Sequence, residues 1–177
     1  MRTRNRTLAV GGVLLVVLVA GLLVGFLALG GDDTTSGSTT TTPPNSPSPT
    51  GTRAIKSAVE QAYLEHWDVY AEALLTLDGS RLSEVFAGAA LREVEKQVEQ
   101  LSAANQPARV RIEHNYRVAL IDADTATVED RYINHTVRLD PATMEPIESD
   151  PNQRVHKSYT LKKVGGVWKV TDIVLYQ

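Results

Sequence analysis

Six residues able to do acid–base chemistry lie on stretches where polar and apolar side chains alternate: His114, Tyr116, Asp130, Tyr132, His135 and His156. An imidazole beside a carboxylate can abstract a proton or help hydrate a substrate, because burial moves either group's pKa toward neutrality. Strand surfaces carry such residues routinely, and their spacing alone does not show that any two of them meet. The four histidines, at 66, 114, 135 and 156, have no HxH, HxxxH or HExxH spacing that would set two imidazoles on one metal ion. Cysteine is absent, which removes a thiolate nucleophile, a disulfide framework and a cysteine metal site. No G-x-S-x-G, P-loop or GxGxxG pattern occurs, so nucleophilic hydrolysis and nucleotide binding have no sequence support. Accordingly no catalytic residue, metal or cofactor is assigned.

The formal net charge is -3, and the part after Thr52 holds 15 Lys/Arg against 19 Asp/Glu without a basic block. Nucleic-acid binding needs a positive footprint and is disfavoured.

The elements that must position the six residues follow from periodicity. From Arg53 to Leu77, Ile55, Val59, Ala62, His66, Val69 and Ala73 recur at helical spacing, with Tyr63, Trp67, Tyr70 and Leu74 on the adjoining stripe. This is a long amphipathic helix with a wide apolar face, suited to lie across a sheet. Asp78-Gly79 ends it, Ser80 to Phe86 is expected to be a short helix, and a third helix after Gly88 sets Leu91, Val94, Val98 and Leu101 on one stripe before Asn105 to Pro107 stops it. Beyond Pro107 the period becomes two: Val110, Ile112, His114, Tyr116, Val118 and Leu120 alternate with Arg111, Glu113, Asn115 and Arg117. Further strands are expected at 125–139, 154–164 and 167–176, the last two joined by Gly165-Gly166, with a long Pro-containing loop at 140–153. Helices followed by hairpins imply an α+β fold with the helices on one face of a curved antiparallel sheet.

Ahead of this domain, Leu8 to Leu29 is a 22-residue stretch with no charge. As a helix it would cover roughly 33 Å, against about 30 Å of hydrocarbon core. Arg2, Arg4 and Arg6 precede it and Asp32 and Asp33 follow it, so the positive-inside rule keeps residues 1–7 cytoplasmic and exports the rest. Its length favours a retained anchor in the lipid bilayer over a cleaved leader. Gly21 and Gly25 form a GxxxG spacing on which two such helices could pack as a homodimer. Residues 30–52, rich in Gly, Ser, Thr and Pro and lacking any aliphatic or aromatic side chain, read as a disordered linker that tethers the domain of residues 53–177 outside the cell membrane.

Three helices and four long strands ending in Gly-Gly-Val-Trp-Lys-Val-Thr-Asp-Ile, with Tyr159, Leu161, Trp168, Val170 and Ile173 in the terminal hairpin, resemble the cystatin-like roll of the nuclear transport factor 2-like superfamily. A narrower similarity, carried by residues 73–92, Ser158-Tyr159-Thr160 and Trp168-Lys169-Val170, is to the intermembrane-space domain of plastid division proteins and their bacterial relatives. The first resemblance implies a cone-shaped interior that in enzymes of this fold holds a general base, with His114, Tyr116, Asp130, Tyr132, His135 and His156 as candidate lining. The second implies a membrane-tethered module that binds a membrane or envelope protein without catalysis. An interior filled by Trp67, Tyr70, Tyr116 and Trp168 favours the module; an open pocket with convergent His and Asp favours a small-molecule carrier or an isomerase-type enzyme.

Overall fold

The apolar stripe read between Arg53 and Leu77 becomes a helix, α1, spanning Pro49–Thr76 in the computed structural model, which describes residues 49–176. The segment 8–29, its Gly21 and Gly25, and the linker as far as residue 48 lie outside the described residues. Among the described residues no helix is long and apolar enough to cross a membrane. α1 starts within the last four residues of the stretch read as linker. Proline suits a first helical position, where its missing N–H is an orphan in any case. The helix stops where Leu77 turns into the left-handed region, φ 58°, and Asp78 Oδ1 accepts the Ser80 amide at 2.9 Å.

Two helices follow, α2 (Leu82–Val85) and α3 (Gly88–Ala103). Gly88 has φ +60°, and a Cβ there would sit 3.3 Å from the Thr171 carbonyl oxygen. Glycine adopts that backbone conformation without strain and leaves room for that approach of α3 to the sheet.

The strands are β1 (Ala108–Arg109), β2 (Ile112–Glu113), β3 (Tyr116–Leu120), β4 (Thr125–Asn134), β5 (Val137–Arg138), β6 (Gln153–Val164) and β7 (Val167–Tyr176), of which β1 and β5 pair as a separate two-stranded sheet. The main sheet has the order β2-β4-β6-β7, with β3 also on β4, and all its pairings are antiparallel. The single strand expected over Val110–Leu120 is thus recorded as separate pieces, and the one expected at 125–139 as two. β1, β2 and β3 nevertheless run along β5 and β4 without a register shift, from Ala108 opposite Arg138 to Leu120 opposite Ala126. The break between β2 and β3 has a chemical cause: the Asn115 amide donates to the side chain of Asp130, although the Asn115 carbonyl still accepts the Arg131 amide. β6 and β7 turn back on Gly165 and Gly166, both at positive φ, as a two-residue hairpin requires.

α1, α2 and α3 cover one face of this sheet. Val59, Tyr63, Val69, Ala73 and Leu74 of α1, Val94 and Val98 of α3, and Ala126, Val128, Tyr159, Leu161, Trp168 and Val170 of the sheet are buried in one cluster. Trp67, Tyr70 and Tyr116 pack against it. Among the described residues only His66 and Asp130 are fully buried polar or charged side chains.

Candidate functional site

Side chains of a strand alternate faces, so residues directly opposite each other share one. Tyr116 lies opposite Asp130, and the unbroken register places His114 beside Tyr132. These four point toward the helices. Their meeting point is Asp130, 0 % exposed. Its Oδ2 accepts the Tyr63 hydroxyl of α1 at 2.7 Å and His114 Nδ1–H at 2.6 Å, while its Oδ1 accepts the Asn115 amide at 2.9 Å. Three of the roughly four acceptor positions of a carboxylate are thereby filled by the protein itself.

Electrostatics follow the geometry. Burial alone would raise the Asp130 carboxyl, but the bonds from His114, Tyr63 and Asn115 outweigh it and hold the group below the usual carboxylate range. Burial raises the Tyr63 phenol, with the hydrogen bond to Asp130 adding to it. Burial also pushes Tyr132 up to about 12 and raises the Tyr159 phenol. Lys157, opposite Asp130 on β6, is lowered by desolvation against the opposing charge of Glu93.

Around this polar centre the interior is packed with rings. Tyr63 lies 5.1 Å from Tyr116 and 5.2 Å from Tyr159 between ring centres. Trp67 lies 5.2 Å from His114 and 5.5 Å from Tyr132. His66 is enclosed by Tyr63, Trp67, Phe86 and Tyr159 at 4.9–5.5 Å, and its Nδ1–H donates to the Tyr63 carbonyl within α1. Trp67 Nε1 and the Tyr159 hydroxyl are buried without a hydrogen-bond partner among the described residues. A cleft of about 570 Å³ between the end of α1 and α3 and another of about 240 Å³ beside His135 are both lined by other residues than His114, Tyr116, Asp130 and Tyr132.

His135 and His156 do not join the group. His135 precedes β5, on the opposite face of the ribbon, where Nδ1 meets Asp150 at 2.9 Å and Nε2 meets Glu113 at 3.1 Å. His156, opposite Arg131 on the outer face of the sheet, stacks on Tyr176 at 4.4 Å. Among the described residues no group of His, Asp and Glu converges as a metal site.

Sequence reasoning counted Tyr63 and His66 as apolar stripe and omitted Lys157. The available signal was a polar handle on the buried face of a helix: a buried hydroxyl or imidazole needs a partner, and the opposite strand was the place to look for it. Chemically, Asp130 orients His114, as a base-orienting carboxylate would. The same bonds also tie α1, the β2–β3 break and β4 to one another.

No protein-family model matches the chain, and a search of curated proteins finds no match. Solved structures do match. The intermembrane space region of chloroplast protein ARC6 aligns with a TM-score of 0.55 at 14 % identity, over 68 % of this chain and 95 % of that one. Hexachlorocyclohexane dehydrochlorinase LinA-type3 from Novosphingobium barchaimii aligns at 0.47 and 12 % identity, over 73 % and 92 %. An NTF2-like protein from Cytophaga hutchinsonii aligns at 0.45 and 16 % identity, over 66 % and 95 %. Three helices laid across one face of an antiparallel sheet, with the chain order and long final hairpin seen here, give residues 49–176 a cystatin-like roll, the fold they share with that intermembrane space region.

Proposed function

We propose that this domain is a non-catalytic protein-interaction module, held on the outer side of a membrane by the segment 8–29 and the linker that follows it. The observation that supports it is the state of Asp130. The one fully buried carboxylate among the described residues is spent on Tyr63, His114 and Asn115, and rings fill the space in front of it. A general base needs a free lone pair within reach of a substrate proton; a carboxylate enclosed in this way braces the fold. The tether adds an advantage that needs no new contact, since it raises the local concentration of the domain for a partner anchored in the same membrane. One solved domain that shares this roll, that of ARC6, is itself an intermembrane space region.

A small-molecule-binding or isomerase-type activity is the second reading, favoured by His114, whose side chain keeps 20 % exposure while a buried carboxylate orients it. Proximity labelling of the full-length protein in its native membrane separates the two. Under the first reading a membrane or envelope protein is labelled reproducibly, labelling is lost when residues 53–177 are deleted, and His114→Gln retains it. Under the second, deletion changes no labelled protein, and a copurifying small molecule is no longer converted by His114→Gln. Intact mass of the membrane-extracted chain tests the anchor: a mass beginning near Gly31 would mean that segment 8–29 is a cleaved leader.

A further inference from the structure

Residues 140–152 form a strap between β5 and β6, fastened to the strands beneath it by ionic contacts. Arg138 holds Glu148 through Nη2 at 2.8 Å and Nε at 3.2 Å. Arg111, between β1 and β2, holds Asp150 at 3.0 Å, and Arg109 of β1 donates to the Met144 carbonyl at 3.2 Å. The cleft of about 240 Å³ lies under this strap, lined by Arg109, Arg111, His135, Val137, Glu148 and Asp150, with Pro146 at its edge.

His135 sits at the centre with its side chain only 9 % exposed. Each ring nitrogen faces a carboxylate: Asp150 of the strap at 2.9 Å and Glu113 of β2 at 3.1 Å. A neutral imidazole has one N–H and one lone pair, whereas ionised carboxylates only accept. Both contacts are therefore hydrogen bonds only when the ring is an imidazolium. On deprotonation one of them becomes two facing lone-pair acceptors. The groups facing this ring are Glu113 from β2, Asp150 from the strap and the Arg111 that shares Asp150, with Arg109 and Glu148 in the same cleft. Arg111 keeps its own hold on Asp150, so loss of the proton eases the strap rather than releasing it. Met144, at φ 59°, puts a bulky side chain in the left-handed region, and this strained turn needs its surroundings to hold it.

We propose that His135 is a proton-operated latch: as imidazolium it ties the 140–152 strap to β2, and deprotonation loosens the strap over the cleft. The full-length chain in detergent micelles allows two measurements. Imidazole ¹⁵N shifts report which ring nitrogens of His135 carry protons. Amide hydrogen exchange, corrected for the intrinsic pH dependence of the chemistry, reports strap opening through Ile147, whose amide donates to the Arg138 carbonyl across the strap. From about pH 5.5 to about pH 8.5 protection of Ile147 is expected to fall on the order of fivefold, while Thr127 and Thr160 in the main sheet do not change. His135→Gln, neutral throughout, is expected to show the low protection at both pH values. Glu113→Gln, on an exposed side chain, is expected to shrink the response even if the first variant does not fold. A His135 ring with a single N–H at about pH 5.5, an Ile147 protection that ignores pH, or an equal loosening of Thr127 and Thr160 would overturn the latch.

Discussion

Acid should weaken this fold through one buried imidazole, His66. It is 2 % exposed among four aromatic rings, and burial lowers its pKa from 6.5 to about 3, with His114 and Lys157 adding repulsion while the Tyr63 carbonyl and Asp130 oppose the shift. A base depressed in the folded state stays neutral there while the unfolded chain takes up a proton. The stabilisation is therefore complete above the unfolded pKa of 6.5 and is lost progressively as pH falls from 6.5 toward 3. Each unit of that interval is worth about 1.36 kcal/mol, so two units below 6.5, near pH 4.5, the loss is about 2.7 kcal/mol. Against a typical stability of about 5–15 kcal/mol this is a large fraction. Urea denaturation of the fragment from Pro49 to the C-terminus, followed by tryptophan fluorescence from about pH 7.5 down to pH 4.5, measures it. His66→Gln cannot titrate, so the difference between its pH slope and that of the native sequence isolates this residue, because the carboxylates and other histidines contribute to both. If glutamine is not tolerated, His66→Phe serves the same comparison. Parallel slopes, agreeing within about 0.5 kcal/mol over the range, would refute the reasoning.

Three further outcomes are expected. The fragment from Pro49 should unfold in one cooperative transition without the preceding segments, since its helices and sheet enclose a complete core; a non-cooperative urea curve would contradict this. Tyr63→Phe should cost about 1–3 kcal/mol by removing one donor from a buried carboxylate, and Asp130→Ala more, about 3–5 kcal/mol, because it strips the partner from Tyr63 and His114 together; equal, small losses from both variants would show that the network carries no stability. Gly88→Ala should cost about 1–2 kcal/mol, as a left-handed residue whose Cβ crowds the Thr171 carbonyl, with the loss appearing as a lower urea midpoint at unchanged slope.

Period and punctuation are local properties of a chain, and what depends on them was legible without coordinates. The four-and-three spacing through Ile55, Val59, Ala62 and Val69 specified α1, the switch to alternation after Pro107 marked where helix gives way to sheet, and Gly165-Gly166 placed the last hairpin. Alternation even put His114 and Tyr116 on one face, and Asp130 and Tyr132 on one face, as two separate pairs. What alternation cannot carry is register, because shifting one strand by a residue leaves each pattern intact while reversing which face meets which. Only the pairing of β3 with β4 set Asp130 opposite Tyr116 and beside His114, and only that of β4 with β6 put His156 opposite Arg131 on the other face. Nor does helical period say what a polar member of an apolar stripe will meet. Tyr63 and His66 entered the stripe as bulk, and the docking of α1 on β4 made one a donor to Asp130 and the other a buried neutral imidazole. The strap is decided in the same way: Glu113, His135 and Asp150 are far apart in the chain, and their bonds exist because β2 and β4 pair and the 140–152 loop folds back over them.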